Sequence, residues 1–506
     1  MPGAFFGLDI ANTALSAAQV LMDVAGQNIA NDATPGYSRQ VAEPTTTTPY
    51  AQPDMGGTYT PQLGTGVEIS SVNRVRASYL DGLFRTTQSA VGLYSTRQGY
   101  LSALQSVLNE PGQNGLSSAL NRFFGDFQTL SQDPQSSAAR TVVQQDGEAV
   151  TAQIQQIYQG LQSVGQQAQS QATQDVQTVN SDLQQLANLN TTIASAQALG
   201  QQPNDLLDQR DNVLDSLSKL ININVSRTVT LPGGAPAPQG QYTTNAITQV
   251  SVSIQDTSGN QVTLLSGGDA GSLTLTPSTT AGAPQFTLSA TAAANTTYTG
   301  SGSIAPTGGT IGAAYGFVNQ DLNPSQAGPP PSLMYQFNQA VSQLASAVNA
   351  QHAAGYYQDP TNGAWATGLN FFAPSSGTTI TAANIEVNPL IQGNTAYIAA
   401  GATASPGDGQ NATAIANIAQ EPSGPLSQYG GFVANVGSQV DLSQNLQNTA
   451  QSLLSQVTSQ RQQTAGVSIN EEMTNLVQAQ AMYTAASKVA QIMDSSLQSL
   501  ISAIQP

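Results

Sequence analysis

The sequence contains no cysteine, and that one absence removes disulfides, thiolate nucleophiles and cysteine-based metal sites together. Histidine and tryptophan occur once each, and of 12 basic residues only Lys219 and Lys488 are lysine. Charged residues fill 8% of 506 positions, against roughly 25% in an average soluble domain. With 29 acidic residues the formal net charge is -17. A phosphate backbone needs a clustered Lys/Arg footprint, so nucleic acid is not expected as a partner, and an anionic membrane surface is disfavoured on the same ground. No stretch reaches the ~18 apolar residues that span a bilayer. The N-terminus does not read as a cleaved secretory signal either, because the first basic residue is Arg39 and Asp9, Asn12 and Asp23 interrupt the apolar run. Composition leaves two routes open: a cytoplasmic protein, or one exported with its N-terminus intact.

What is present is helical periodicity at both ends. Leu8, Ala11, Leu15, Ala18, Met22, Ala25 and Ile29 step by three and four, a heptad seam on one stripe of a helix. Thr34-Pro35-Gly36 stops that helix, because Pro35 disfavours helical geometry at the residue before it. The seam is rich in alanine, so it buries little area alone and needs a partner. At the other end Ser468 and Glu471 have capping-box spacing. Ile469, Met473, Leu476, Gln480, Tyr483, Ala486, Ala490, Met493, Leu497, Leu500 and Ile504 then continue in the same steps, after a preceding helix through Leu442, Leu446, Leu453, Leu454 and Val457.

Length alone suggests about three domains. Arg76 to Ile221 reads as helical, with one seam through Val150, Ile154, Ile157, Leu161, Val164 and Ala168 and another through Val176, Val179, Leu183, Leu186 and Ile193. Those seams suit long antiparallel helices packed within one subunit. Pro134 and Pro203 mark breaks, and Ile221-Asn222-Ile223-Asn224-Val225 switches to strand-like alternation. From there to Gly316 the chain is rich in Thr, Ser, Gly and Val with short alternating runs. Helix returns at Leu333, Phe337, Val341, Leu344 and Val348, and Gly355 to Gly430 shows little period. The expected fold is mainly α with a β-rich insertion. Residues 1–38 and 465–506 form paired coiled-coil helices, 39–224 and 317–464 a helical rod, and 225–316 an inserted antiparallel β domain that projects outward.

Asn28, Asn31, Thr34, Pro35, Gly36 and Tyr37 form an Asn-x-x-Asn-x-x-Thr-Pro-Gly-Tyr turn, in which the asparagines can cap backbone groups and Tyr37 can pack back. Set at the end of an N-terminal heptad helix, it resembles the signature of flagellar rod, hook and hook-associated axial proteins. Leu120-Asn121-Arg122-Phe123-Phe124 with Ala138-Ala139-Arg140, the run Asn204 to Asp211 (Asn-Asp-Leu-Leu-Asp-Gln-Arg-Asp), and Asn349 to Gly355 leading to Phe371-Phe372 resemble the hook-associated protein 1 branch of that family. Gly466 to Met473 with Gln480 and Tyr483 resembles the C-terminal motif common to axial proteins. The resemblance implies a hook–filament junction subunit, exported through the flagellar channel and placed outside the cell. Its implied partners are other copies of itself, hook protein, the second junction protein next to the filament, and an export chaperone at the C-terminal helix. The expected assembly interface is Leu8, Leu15, Met22, Ile29, Ile469, Met473, Leu476, Tyr483, Met493, Leu497, Leu500 and Ile504. The rivals are another axial subunit of hook or filament type, and a secreted adhesin that uses the β insertion.

No constellation points to catalysis, and no cofactor is expected. A lone His352 without cysteine leaves only carboxylates to complete a metal site, so a structural role near its helix end is the simpler reading. Asp205, Asp208, Asp211 and Asp215 lack the alternate spacing of a calcium loop. They are expected to cap and solvate a helix, with Arg210 in reach as a partner.

Overall fold

The computed structural model describes residues 5–51, 62–230, 247–294, 296 and 301–504. It is mainly α with a β insertion. Helix α1 (Phe6–Ala30) leads into strands β1 (Gln40–Thr46), β2 (Tyr50–Ala51), β3 (Gln62–Leu63) and β4 (Val67–Arg74). Strands β1 and β4 pair antiparallel, with an irregularity between Glu43 and Pro44, where a proline in a strand must fall. Sequence periodicity alone left this hairpin unread. It covers a flank of α1, where Gly66 approaches so closely that a Cβ there would strike Thr13.

Helices α2 (Ser78–Leu108), α3 (Leu116–Gln132), α4 (Ser137–Ala198) and α5 (Asn204–Leu220) follow. The two seams at 150–168 and 176–193 lie on one continuous 62-residue helix, α4, and not on two antiparallel ones. At 1.5 Å per residue it is ~90 Å long, and no proline or glycine-rich break interrupts it. Its first half, from Val143 to Ala172, belongs to a large core that includes Leu101, Phe123, Phe127, Phe337, Phe371 and Phe432. Its second half, from Val176 to Ala187, belongs to a separate core shared with α5 and the sheets. The spine thus joins two cores end to end.

The insertion holds one sheet ordered β5 (Asn224–Thr230), β6 (Ile247–Gln255), β7 (Gln261–Ser266), β8 (Asp269–Ala270). A second is ordered β11 (Ser301–Ile304), β10 (Ala283–Thr291), β9 (Ser272–Thr280). Projection away from the rod is not what is found: the β9–β10 hairpin lies back along α4. Tyr158 Oη and Gln162 Nε2 donate to the carbonyls of Ala281 and Gly282 in its turn, and Gln169 donates to Gln285. Asn180 exchanges two hydrogen bonds with the Leu273 backbone. Glutamine and asparagine on the solvent-facing steps of a polar helix here serve as rungs to strand backbone.

Helix α6 (Gly309–Gly316) passes into a π-helical turn at Phe317–Asp321, and α7 (Leu333–Ala354) follows. The stretch without sequence period resolves into short pairs β12 (Tyr357–Gln358) with β13 (Trp365–Ala366) and β14 (Phe372–Pro374) with β15 (Ile385–Val387), then α8 (Pro389–Gly393) and α9 (Gln410–Asn417). These elements are too short to show a repeat; side chains pin them instead. Asn349 exchanges hydrogen bonds with both backbone groups of Phe372, and Arg140 donates to the Pro134 and Ile398 carbonyls. The rings of Phe123, Phe127, Phe371 and Phe372 interlock at centroid distances of 4.9–5.7 Å.

Helix α10 (Pro425–Ala465) runs antiparallel to α2, so that Gln439 meets Arg97 and Arg461 meets Asp81. Its buried line is Phe432, Val436, Ser443, Ala450 and Val457. Of the residues through which this helix was read, Val457 is buried and Leu454 half-buried, while Leu442, Leu446 and Leu453 face out at 58%, 36% and 42% exposure. After a break at Gly466, α11 (Ile469–Ile504) turns to pair antiparallel with α1, bringing Met493 onto Gly7. Among the described residues no helix is long and apolar enough to cross a membrane.

Because Phe371 is fully buried against three phenylalanines and His352, Phe371→Ala should destabilise the chain by about 3–5 kcal/mol, the usual cost of an aromatic cavity. Urea unfolding at pH 7 measures this.

Candidate functional site

The Thr-Pro-Gly-Tyr turn is built around Asn28, the last fully buried residue of α1. Its side-chain oxygen accepts from the Tyr37 hydroxyl at 2.8 Å and from the Gln40 N–H at 2.9 Å, while its nitrogen donates to the Gln40 carbonyl at 2.8 Å. Asn31 donates to Gln27 and accepts from the Thr34 hydroxyl, and Gly36 takes φ +79°. That conformation favours glycine, and a side chain at Gly36 would also have to displace the Asn212 side chain of α5. Burial, and then the carboxylates of Asp205, Asp208 and Glu472, push the Tyr37 phenol up to about 12, which keeps it a donor.

Those carboxylates belong to the other motifs. Ser38 gives its N–H and hydroxyl to Asp208 at 3.0 and 2.6 Å, and Asn204 donates to Gln40 and to the Val72 carbonyl. Arg39 pairs with Glu472 at 2.7 Å and Glu471 at 2.9 Å. The turn after α1, the Asn204–Asp211 run on α5 and the start of α11 therefore meet in one place. The capping box does not form. Helix α11 begins with the Ser468 carbonyl accepting from Glu472, and Glu471 turns to Arg39, since a full guanidinium charge attracts a carboxylate more strongly than a neutral N–H does.

Behind the turn lies a cluster of Arg74, Arg76, Arg85, Arg227 and Arg461 with Asp81, Asp208, Asp211 and Asp215. Asp205 is exposed, as expected, but Asp208, Asp211 and Asp215 are pulled inward by arginines from β4, the link before α2, α2, β5 and α10. Asp211 has no exposure and contacts Arg74, Arg76, Arg85 and Arg227 within 3.5 Å. Burial alone would raise its carboxyl, yet Arg76, Arg74, Arg227 and Arg85 outweigh it and hold it at about 2. Burial likewise works against Arg76, while Asp211, Asp81 and Asp215 hold its guanidinium above the ordinary arginine value. Arg210 feels the charge of Asp211 but makes no ion pair with the cluster; its hydrogen bonds reach Asn190 and the Thr248 carbonyl, tying α5 to α4 and the insertion. Spacing could not have found the cluster, because its arginines lie at 74–85, 227 and 461, far apart in the chain.

His352 is a second buried node. Its Nδ1 lies 2.7 Å from the Leu369 carbonyl and donates to it; Nε2 accepts from the Ala399 N–H at 2.9 Å. Burial first, with Arg140 adding to it, lowers the imidazole to about 4 against the Leu369 hydrogen bond. With both ring nitrogens engaged by backbone and no exposure, the ring staples two loops.

The terminal helices pair through small side chains. The buried apolar residues described on α1 and α11 are Ala11, Ala17, Ala18, Ala25, Ala479 and Ala486. Leu8, Leu15, Met22 and Ile29 on α1 and Leu476, Met493 and Leu497 on α11 are half-buried, whereas Ile469, Met473 and Tyr483 are exposed. The side chains of Leu500 and Ile504 lie outside the described residues. Val477, Met482, Val489, Ile492 and Ile501, which the heptad reading passed over, are also exposed.

The helical-domain model of the flagellar hook-associated protein FlgK matches residues 101–372, and that of the C-terminal region of flagellar basal body rod FlgEFG proteins matches 458–503. The chain is 30% identical to flagellar hook-associated protein 1 of Bacillus subtilis across 99% of this chain and 98% of that one. It belongs to the flagellar hook-associated protein 1 family. The Salmonella typhimurium member is 28% identical over 70% of this chain and 57% of its own length. The flagellar hook junction protein FlgK of Burkholderia pseudomallei shares the fold with a TM-score of 0.57 and 17% identity, over 76% of this chain and all of that one. Membership makes this a structural protein of the bacterial flagellum.

Acid should act on both nodes. The folded His352 value lies below the ordinary 6.5, so between pH 6.5 and 4 the unfolded chain binds the proton first and stability falls by roughly 3 kcal/mol. Asp211 acts between 3.8 and about 2 in the same direction. Asp126, raised to about 7 by burial and then by Asp146, and Asp321, raised to about 6 by burial against Arg97, act in the opposite direction. The comparison that isolates the histidine is His352→Gln against the parent. In urea unfolding the variant should be weaker at pH 7 and close to the parent at pH 4.

Proposed function

We propose that the chain is the subunit of the layer that joins hook to filament, and that it has no enzymatic role. Residues 1–38 and 465–506 act as its axial assembly module, 39–224 and 317–464 as its rod, and 225–316 as an insertion carried on the rod. Family membership supports the junction role, together with self-assembly and partners in the hook region. Hook protein on one side, the second junction protein on the other and an export chaperone on α11 are the finer partners of this reading. Export through the flagellar channel to the cell exterior is its route.

One observation carries the terminal-helix mechanism. Of the 20 large apolar side chains exposed among the described residues, 11 lie on α10 and α11, from Leu442 to Ile501. A monomer that spends α1 on an alanine-lined pairing leaves that stripe wet, and contiguous exposed apolar surface marks an interaction site. Heterologous contacts between copies bury it and build a ring or short helical layer. The expected interface therefore consists of Leu8, Leu15, Met22, Ile29, Ile469, Met473, Leu476, Tyr483, Met493, Leu497, Leu500 and Ile504, with Val477, Met482, Val489 and Ile492 added to it.

Leu497→Asp or Leu15→Asp should abolish incorporation into flagella while the purified chain keeps its rod helicity. Electron microscopy of cells that carry either change should show bare hooks, with filament protein in the medium. Normal filaments on those cells would refute the mechanism.

A further inference from the structure

Among the described residues of the rod and insertion one arrangement recurs four times: an asparagine amide gives its N–H to the carbonyl, and takes the N–H, of a single strand residue. Asn180 does so with Leu273 on β9, Asn190 with Val250 on β6, Asn319 with Phe286 on β10 and Asn349 with Phe372 on β14. Each of these strand residues lies on an edge that has no neighbour among the described residues. Strands β9 and β14 end their sheets, β7 pairs with β6 only from Val252 onward, and β11 pairs with β10 only from Leu288 onward. A primary amide carries a donor and an acceptor side by side, as the backbone of an adjacent strand does. Each asparagine therefore stands in for a missing strand.

Two of the four act on one hairpin. Asn180 projects from α4 onto the outer edge of β9, and Asn319 reaches the opposite edge, on β10, from the π-helical turn. In that turn the Leu322 N–H goes back five residues to Phe317, and the Val318 carbonyl accepts from the Gln285 side chain at 2.6 Å. Turns of this kind are rare and concentrate where the chain has a task. At the tip of the hairpin Ala281 takes φ +47°, which disfavours any residue with a Cβ, and its carbonyl accepts from the Tyr158 hydroxyl. Below the tip Pro284 comes so close to α4 that a Cβ on Gly165 would strike its ring.

We propose that β9–β10 is a strap clamped at both edges, with Asn180 and Asn319 as the positioning residues that fix where it lies on the rod. Apolar contact by itself does not choose an axial position, because the α4 seam repeats from Val176 to Leu183 and from Val179 to Leu186. An amide pair fits one strand residue only. The strap holds as a unit: releasing either asparagine loosens the whole hairpin, tip included. The sheet β5–β8 stays in place, since Val250, Val252 and Leu264 belong to the apolar core that α4 and α5 share with it. The inference concerns the rod and insertion of a single chain and depends neither on the junction role nor on the chain ends.

The test is Asn180→Asp in the full-length chain. The change keeps the shape but replaces the donor by a second acceptor, so the ionised side chain repels the Leu273 carbonyl. Once protonated, the carboxyl again offers one donor and one acceptor. Asn190 is unsuitable for this substitution, because Arg210 would pair with the new carboxylate. Hydrogen exchange is read by mass spectrometry over 272–291 and taken as the ratio of variant to parent at the same pH, which cancels the intrinsic pH dependence and the effect of His352. At pH 8 the hairpin should exchange about tenfold faster along its whole length, the stretch 276–287 included. The sheet β5–β8 and the Phe371 region should be unchanged. As the pH is lowered to 5 the ratio should fall towards one, and Asn319→Asp should loosen the same stretch at pH 8. The proposal is overturned by an unchanged hairpin at pH 8, by acceleration confined to Leu273, or by a ratio that does not move with pH.

Discussion

Asp211 is the carboxylate around which the chain closes. It is fully buried, carries charge, and is held by arginines that arrive from β4, the link before α2, α2 itself and β5. Four further ionised groups, Asp81, Asp208, Asp215 and Arg461, complete the cluster. Assembling such a cluster costs desolvation that apolar residues of the same volume would not incur, so its presence is a poor argument for stability. What it supplies is specificity. Each guanidinium has one fork geometry that fits, and a misplaced segment would strand a charge in the interior. In a chain with 12 basic residues, placing five of them at one joint fixes how the rod, the insertion and the terminal pair meet.

The two bodies joined there are held by different physics. The rod is an apolar structure, with aromatic residues locked around α3, α7 and the loops near Phe371, and α4 running through both cores. The terminal pair has an alanine interior. Alanine lets helices approach closely but withdraws little surface from water, so the pair is weak as a free unit and leaves its larger side chains turned outward. That division suits a subunit whose rod must exist before assembly and whose ends gain their packing from neighbours.

Much of this was legible in the residues. Three- and four-residue steps located α1, α4, α5, α7, α10 and α11, and Thr34-Pro35-Gly36 and Pro203 marked true breaks. Periodicity says which faces are apolar but not which of them finds a partner. So the steps through Leu442, Leu446 and Leu453 located a helix but not the fact that α2 packs against another face of it, and the two halves of α4 read as separate helices. The β1–β4 hairpin escaped notice because β1 is exposed throughout after Ala42 and β4 is mostly half-buried, so neither sustains a clean alternation. Asp208, Asp211 and Asp215 looked solvated because their arginines lie 126 to 246 residues away or come from a strand that sequence could not orient. Long-range ion pairing leaves no local period to read.

The central claim is that the segments carrying the shared motifs form one cooperative joint around Asp211. Native-state hydrogen exchange on full-length Asp211→Asn, compared with the parent, tests it most directly. Protection should fall together at Ser38–Gln40, the start of α2, α5, β5 and the end of α10, while α3 and the Phe371 region keep theirs. Loss confined to α5, or spread evenly over both cores, would contradict it.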